Sequence, residues 1–253
     1  MEDKMKSSII IGIAIVITAF ILGQSFRNRN DNLDSISVIG LGTKDFVSDE
    51  ILWSGSFALN STDIKEAYNK IILDQKTVAD FFIKKGFKPS EFSFGAVNFQ
   101  KKVRQITIEN SENQYDKKYE QIFDGYEAIQ TITFVAKKNP ELMKRIELVS
   151  SKTSELINSG IELTSNSIQY TYSDLPSLKQ SLIEKATKDA SERANKIVNT
   201  ADGAIGKLKT ASMGVFQITG QGSTEDDSYG GINDISSKNK TARITVRLEY
   251  ELN

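Results

Sequence analysis

The chain contains few of the residue types that usually carry out chemistry. It has no histidine and no cysteine among its 253 residues. Without histidine it lacks the commonest general base and the commonest transition-metal ligand. Without cysteine it lacks thiolate nucleophiles, disulfides and Cys-ligated zinc. Carboxylates, one serine–lysine pair and one glycine-containing turn remain as candidates.

Three groups of carboxylates could take part in chemistry. Two pairs could act as acid and base in glycoside hydrolysis, and they are Asp49 with Glu50 and Glu120 with Asp124. A third group could supply oxygen ligands to calcium, and it consists of Glu225, Asp226, Asp227 and Asp234. The pairs have no spacing that singles them out, and the third group lacks the spacing of a calcium loop. We therefore interpret all three as solvated side chains.

Two further patterns resemble known sites only superficially. Ser181 and Lys185 are four residues apart, whereas known serine–lysine enzymes use Ser-x-x-Lys. Gly40-Leu41-Gly42 follows a predicted strand, but it lacks the third glycine of a nucleotide loop and no helix follows it. We predict a tight turn there. The sequence therefore predicts no catalytic residue, no metal ligand and no cofactor, and the net charge of −1 gives no indication of nucleic-acid binding.

The N-terminal region is predicted to anchor the chain in a membrane. Residues 8–23 form an uncharged, mostly apolar run of about 16 residues, slightly shorter than the roughly 20 of a typical spanning helix. We favour an uncleaved transmembrane signal-anchor over a cleaved signal peptide or a buried helix, because no A-x-A site follows. Residues 1–7 would then be a short cytoplasmic tail and residues 24–34 a polar linker. Basic residues flank both ends of the run, so the charge bias does not fix the orientation.

Hydrophobic periodicity predicts an α+β fold after residue 34, with a mixed, largely antiparallel sheet packed by about three helices. Helices are predicted over residues 63–86, 140–158 and 175–201. Strands are predicted over residues 35–41, 49–59, 91–101, 119–136, 167–172, 207–219 and 241–252. We expect the first two strands to pair through residues 42–48. Residues 108–118 and 220–239 are predicted to be loops.

Aromatic and charged side chains supply the candidates for packing and for subunit contacts. Five aromatic residues are predicted to be core or, alternatively, to line a subunit interface, and they are Trp53, Phe57, Tyr68, Phe81 and Phe82. The last strand should bury one face and expose the other. Its exposed face would carry Arg243, Arg247, Glu249 and Glu251, either solvated or paired across subunits.

The helix predicted over residues 175–201 is the clearest element of the sequence. At a period of 3.6 residues, one face carries Leu178, Leu182 and an alanine seam of Ala186, Ala190 and Ala194. Asp174 and Pro176 form a helix start, and Gly203 is placed where a helix commonly ends. Because alanines lack bulk, this face is predicted to lie close against a sheet.

This helix and the strand after it resemble the SIMPL-domain family, also called DUF541. The matching stretch reads SLIEKATKDASERANKIVNTADGAIGKLKTAS, in which Ala186, Ala190, Ala194, Gly203, Gly206 and Leu208 occupy the family positions. Three other segments resemble the opening, central and closing strands of the family, namely ISVIGLGTKDFVSDE, YEAIQTITFVAKK and TARITVRLEYEL. The chain departs from the family at Ser48-Asp49, where Pro-Asp is frequent. The resemblance covers residues 35–252, so residues 35–253 are interpreted as one SIMPL-like domain.

The resemblance implies an exported or membrane-anchored bacterial envelope protein that tends to self-associate and whose molecular role is unassigned. We expect a single-pass protein of the bacterial inner membrane, with its folded domain in the periplasm or otherwise outside the cytoplasm. A non-enzymatic, homo-oligomeric scaffold or adaptor is the favoured function. The alternative is a binding module for a small molecule or glycan, with the loop over residues 220–239 as its lid.

Overall fold

The computed structural model describes residues 2–28, 35–109, 117–223 and 230–253. Its helices are α1 (Glu2–Asn28), α2 (Ile64–Lys84), α3 (Pro140–Ser150) and α4 (Leu175–Thr200), with short 3-10 helices at Pro89–Glu91 and Thr153–Ser159. Its strands are β1 (Ser35–Val47), β2 (Glu50–Ser61), β3 (Phe92–Phe94), β4 (Asn98–Glu109), β5 (Lys117–Lys137), β6 (Leu163–Ser165), β7 (Gln169–Thr171), β8 (Ile205–Met213), β9 (Gln217–Gly220) and β10 (Asn239–Leu252).

The described strands form two antiparallel sheets, which confirms the α+β class. In the first sheet β10 lies between β1 and β8, and β9 also pairs with β10. In the second sheet β5 and β2 form the centre; β3 and β4 pair with β5, and β6 and β7 pair with β2. The expectation of one sheet was therefore too simple, because each sheet has its own helices and its own hydrophobic core.

The two cores are built from different parts of the chain. The first lies between α4 and the first sheet, where β10 contributes Ala242, Ile244, Val246 and Leu248. The second lies under α2 and α3 and is rich in aromatic residues. Trp53, Phe57, Phe82 and Phe134 are all at most 2% exposed there. Phe81 is partly buried against this core, but Tyr68 is half exposed, so the prediction that Tyr68 is a core residue was wrong.

The predicted pairing of the first two strands was also wrong. β1 pairs with β10 along its whole length, from Ser35 opposite Glu251 to Val47 opposite Asn239. β2 instead pairs with β5 in the other sheet. Only Ser48 and Asp49 separate the two strands, so the chain crosses between sheets at this point. Alternation of apolar residues indicates a strand, but it does not specify the partner of that strand.

Helix starts follow the sequence closely, because capping is local. Asp63, Asn139 and Asp174 each accept a backbone N–H three residues ahead, from Glu66, Leu142 and Ser177. At the end of α4 the left-handed residue is Asp202, with φ of 56°, rather than the predicted Gly203. The helix predicted over residues 140–158 is divided into α3 and a 3-10 helix, which Gly160 ends at a φ of 77°.

Several strand boundaries differ from the prediction. β4 and β5 extend into the predicted loop over residues 108–118, of which residues 110–116 lie outside the described part of the chain. The strand predicted over residues 91–101 is divided between β3 and β4, and that over residues 207–219 between β8 and β9. The short strand β6 was not predicted. In each divided strand the two pieces pair with the same neighbouring strand and a short irregular stretch separates them, at residues 95–97 and 214–216. Local periodicity does not show such interruptions.

The N-terminal predictions are only partly covered by the structure. In α1, side chains are described for residues 12–25, and all of them are exposed. Within the described chain, no helix meets the length and hydropathy of a membrane span. Residues 29–34 of the predicted linker lie outside the described residues.

Candidate functional site

In the part of the fold formed by the first sheet and α4, β1 lies very close to the alanine seam of α4. A Cβ atom on Gly40 would lie 2.1 Å from the carbonyl oxygen of Ala186 and 2.3 Å from the backbone nitrogen of Ala190. A Cβ atom on Gly42 would lie 2.3 Å from the carbonyl oxygen of Leu182. The two glycines therefore lie within a strand beneath a helix backbone, and the predicted tight turn was wrong. They are glycines because no side chain fits between the two backbones.

Asp189 of α4 covers the outer edge of β1. The backbone N–H of Leu41 donates to Oδ2 of Asp189 over 2.8 Å, and Nε of Arg193 lies 2.9 Å from the same oxygen. The Leu41 N–H, followed by the Arg193 guanidinium, holds the pKa of Asp189 below its usual value. β1 pairs with β10 along its other edge, so the edge contacted by Asp189 is the one that no described strand pairs with. We call it the open edge of β1.

A concavity lies at this open edge, next to Asp189. We name it the β1-edge concavity, with a volume of about 700 Å³. Its lining comes from β1, α4 and β10 and consists of Leu41, Thr43, Lys44, Asp45, Lys185, Thr241 and Arg243. Three widely separated segments of the sequence therefore meet here. Sequence reasoning missed the site because the β1–β10 register has to be known before these residues can be grouped.

The β1-edge concavity has more positive than negative side chains in its lining. Asp45 accepts from the Thr241 hydroxyl over 2.6 Å and from Nε2 of Gln221 over 3.3 Å. Lys44, Lys185 and Arg243 form no ion pair or hydrogen bond with any described residue. The lining of the concavity thus contains three cationic side chains and one carboxylate, and that carboxylate already has neutral donors. Because of this imbalance, the concavity is the strongest candidate ligand site in the described structure.

The segment before β10 is held by a compact polar cluster. Oδ1 of Asp234 accepts from the backbone N–H and the hydroxyl of Ser236, both over 2.7 Å. Burial alone would raise the pKa of Asp234, but hydrogen bonds from Ser237 and Ser236 and the nearby Lys240 ammonium lower it to about 2. The Lys240 ammonium donates to the Asp234 carbonyl oxygen. Asp234 therefore has a structural role; Glu225, Asp226 and Asp227 lie outside the described residues.

The other predicted carboxylates do not form an acid–base pair. Asp49 accepts from the backbone N–H and the hydroxyl of Ser173, over 2.7 and 2.6 Å. Glu50 accepts from the Thr171 hydroxyl over 2.9 Å. Asp49 thus ties the β1–β2 connection to the segment between β7 and α4, whereas the bond of Glu50 lies within the second sheet, between β2 and β7. Glu120 and Asp124 lie on an exposed part of β5.

The serine–lysine pair is not assembled either. The Ser181 hydroxyl donates to the Leu178 carbonyl oxygen of its own helix over 2.9 Å, while Lys185 lines the β1-edge concavity. Within the described residues no group of three or more Asp or Glu side chains could hold a metal ion.

Glu147 of α3 connects the two halves of the fold, of which the first is the first sheet with α4 and the second is the second sheet with α2 and α3. Its Oε1 accepts from the Tyr170 hydroxyl over 3.0 Å and from Nζ of Lys238 over 2.8 Å. The backbone N–H of Tyr170 also donates to the Ile235 carbonyl oxygen over 2.7 Å. Burial and then the bond to Glu147 raise the pKa of Tyr170 to about 12. The segment leading into β10 is therefore attached to the second half through β7 and α3.

A second exposed feature is the outer part of the β4–β5 hairpin. We name it the arm, formed by residues 103–109 and 117–124. It begins at a β-bulge where Lys102 pairs with Gly125 but Val103 pairs with Phe123. Beyond this bulge the described chain places no third strand beside β4 or β5. Several apolar residues of the arm are exposed, namely Val103 (55%), Tyr119 (63%), Ile122 (41%) and Phe123 (50%).

Two antiparallel sheets with separate helical layers, an open strand edge and a projecting arm define the class of this protein as a two-part α+β domain. The profile of the SIMPL family, described as a protein of unknown function (DUF541), matches residues 36–250. The chain therefore belongs to the SIMPL family, as the sequence motifs predicted. A search of curated proteins found none that matches it.

Proposed function

We propose that this protein is a non-enzymatic scaffold or adaptor of the bacterial envelope that self-associates through the arm. The observation that carries the proposal is the exposure of Val103, Tyr119, Ile122 and Phe123 on a hairpin beside which the described residues place no third strand. A two-stranded hairpin is only marginally stable in water, so an arm of this kind gains stability from an additional strand or apolar surface.

The character of the arm favours a second copy of the chain as its partner. Paired strands place Val103 and Phe123 on one face, while Ile122 lies on the other. No described strand pairs with the outer edge of β4 or with the edge of β5 on the N-terminal side of Gly125. Two identical arms related by a two-fold axis can pair their equivalent edges in an antiparallel way. Arg104, Glu120 and Asp124 supply both signs of charge, so two arms do not repel each other strongly.

Substitution of the arm tests this proposal. Phe123→Ser removes a half-exposed aromatic side chain that is not part of either core, so the fold should survive while association weakens. We expect sedimentation velocity to show a lower mass for this variant than for the wild type. Leu148→Ser is the matched control, because Leu148 is 56% exposed on α3. Equal masses for the wild type and both variants would contradict arm-mediated association.

We further propose that α1 tethers the protein to the inner membrane. Support comes from the apolar run over residues 8–23 and from seven exposed apolar side chains in its described part, which are Ile13, Ile15, Val16, Ile17, Phe20, Ile21 and Leu22. At 3.6 residues per turn these side chains cover the whole circumference of the helix. We expect the full chain to stay with membranes during alkaline extraction and the fragment 31–253 to be released. Release of both forms would overturn the tether.

The alternative function is a binding module for an extracytoplasmic small molecule or glycan. The β1-edge concavity supports it, because its volume lies within the usual range for ligand sites. The predicted lid includes residues 224–229, which lie outside the described chain. Of the described residues beside them, Gln221 reaches the concavity by bonding to Asp45.

A further inference from the structure

The three cationic side chains of the β1-edge concavity are available to a ligand. We propose that this concavity binds the phosphate group of a phosphomonoester. The proposal gives the alternative binding function a chemical class, and it is independent of association through the arm.

The charge of the site matches a dianion. Lys44, Lys185 and Arg243 against Asp45 give a net charge of about +2 at neutral pH. A phosphomonoester carries about −1.5 to −2 at pH 7. The chain as a whole has a net charge of −1, so this local excess of positive charge is not a general property of its surface. A monoanion such as acetate would leave part of the excess uncompensated.

The donors are placed on three elements around the site. Arg243 of β10 offers a planar guanidinium that can form two parallel bonds with a phosphate. Lys44 of β1 and Lys185 of α4 offer ammonium groups. None of the three has a partner among the described residues, so no existing bond has to be broken when an anion binds.

The backbone of β1 adds one more donor. The Leu41 N–H leaves the open edge of β1 towards Asp189. Alternate residues of a paired strand direct their N–H groups to the same edge, so Thr43 presents its N–H at that edge too. No described residue accepts a hydrogen bond from the Thr43 N–H. Thr43 can therefore donate both its N–H and its hydroxyl to a bound phosphate.

The remaining lining suits the carbon part of such a ligand. Leu41 is 46% exposed and supplies an apolar surface. Asp45 and Thr241 can accept hydrogen bonds from hydroxyl groups. The volume of about 700 Å³ is larger than a phosphate ion requires, so the site can also hold a sugar or a glycerol unit.

Isothermal titration of the full chain in detergent micelles tests the proposal. The probes are inorganic phosphate and glucose 6-phosphate, with acetate as the monoanionic control. We expect saturable binding of both phosphates and weaker binding of acetate. Arg243→Gln and Lys185→Gln should each weaken binding by about tenfold, as expected for the loss of one charge-assisted bond. Lys188→Gln is the matched control, because Lys188 lies on the same helix but outside the concavity.

The outcomes separate this proposal from the proposed self-association. Absence of saturable phosphate binding, or wild-type affinity in both Arg243→Gln and Lys185→Gln, would overturn the phosphate site. Thermal unfolding of each variant checks that the fold is kept, and Lys44→Gln provides a third substitution on another element. The Phe123→Ser variant should still bind phosphate, and the Arg243→Gln variant should keep the mass of the wild type.

A competition experiment distinguishes the source of the phosphate. Vesicles containing phosphatidic acid present a phosphomonoester headgroup, whereas phosphatidylcholine vesicles do not. Displacement of bound glucose 6-phosphate by the former alone supports a lipid headgroup as ligand. Retention of glucose 6-phosphate with both kinds of vesicle supports a free phosphomonoester.

Discussion

At the scale of single residues, Gly40 has the most restrictive environment, since an added Cβ atom would meet the backbone of α4 rather than a flexible side chain. Gly40→Ala should therefore lower the free energy of unfolding by about 1–3 kcal/mol, the usual cost of overpacking. Chemical denaturation measures this change. Gly95→Ala is the control, because its Cβ atom would find its nearest neighbour, the Thr131 carbonyl oxygen, at 3.7 Å. Equal stability of the two variants would contradict close packing of β1 on α4.

Single residues could be predicted from the sequence where their reason is local, and not where it lies in a distant part of the chain. The alanines of α4 were identified from their spacing, because a helical face repeats locally. Gly40 and Gly42 were misread as a turn, because their reason lies in a helix more than a hundred residues away in the chain. Lys44, Lys185 and Arg243 were not grouped for the same reason.

At the scale of elements, the segment leading into β10 depends on the ionised form of Asp234. The pKa of Asp234 in the fold is about 2, below the roughly 3.9 of an unfolded aspartate. A lowered folded pKa contributes stability that is present above pH 4 and is lost as the pH falls towards 2. Asp234→Asn should therefore be less stable than the wild type by about 1–2 kcal/mol at pH 7.

Denaturation of both proteins at several pH values measures this difference. The gap between the wild type and Asp234→Asn should narrow as the pH falls from about 4 to about 2. A gap that stays constant over this range would show that the charge of Asp234 does not hold the segment.

Element positions were predicted well where the signal is local. The caps Asp63, Asn139 and Asp174 and the alternation of β10 identified their elements directly. Strand partners were not predictable, because β1 joins β10 across most of the chain. The sequence predicts part of the arm as a loop, because a hairpin whose described side chains are mostly exposed shows no regular hydrophobic alternation.

At the scale of the whole molecule, Glu147 of α3 joins the second sheet and its helices to the segment before β10 through Lys238, and its bond to Tyr170 lies within the second part. Glu147→Ala should increase hydrogen exchange at the Tyr170 amide, whose bond to the Ile235 carbonyl oxygen lies beside this contact. We also expect a loss of about 1–2 kcal/mol in the free energy of unfolding, since two charge-assisted bonds disappear. Glu141→Ala on the same helix is the control, and unchanged exchange at Tyr170 would show that Glu147 does not join the halves.

Self-association is the central claim at this scale, and one measurement tests it most directly. Static light scattering of the fragment 31–253, which contains both sheets and the arm, should give a mass that is a multiple of the monomer mass as concentration rises. A monomer mass at every concentration would contradict the claim that the protein assembles through its arm.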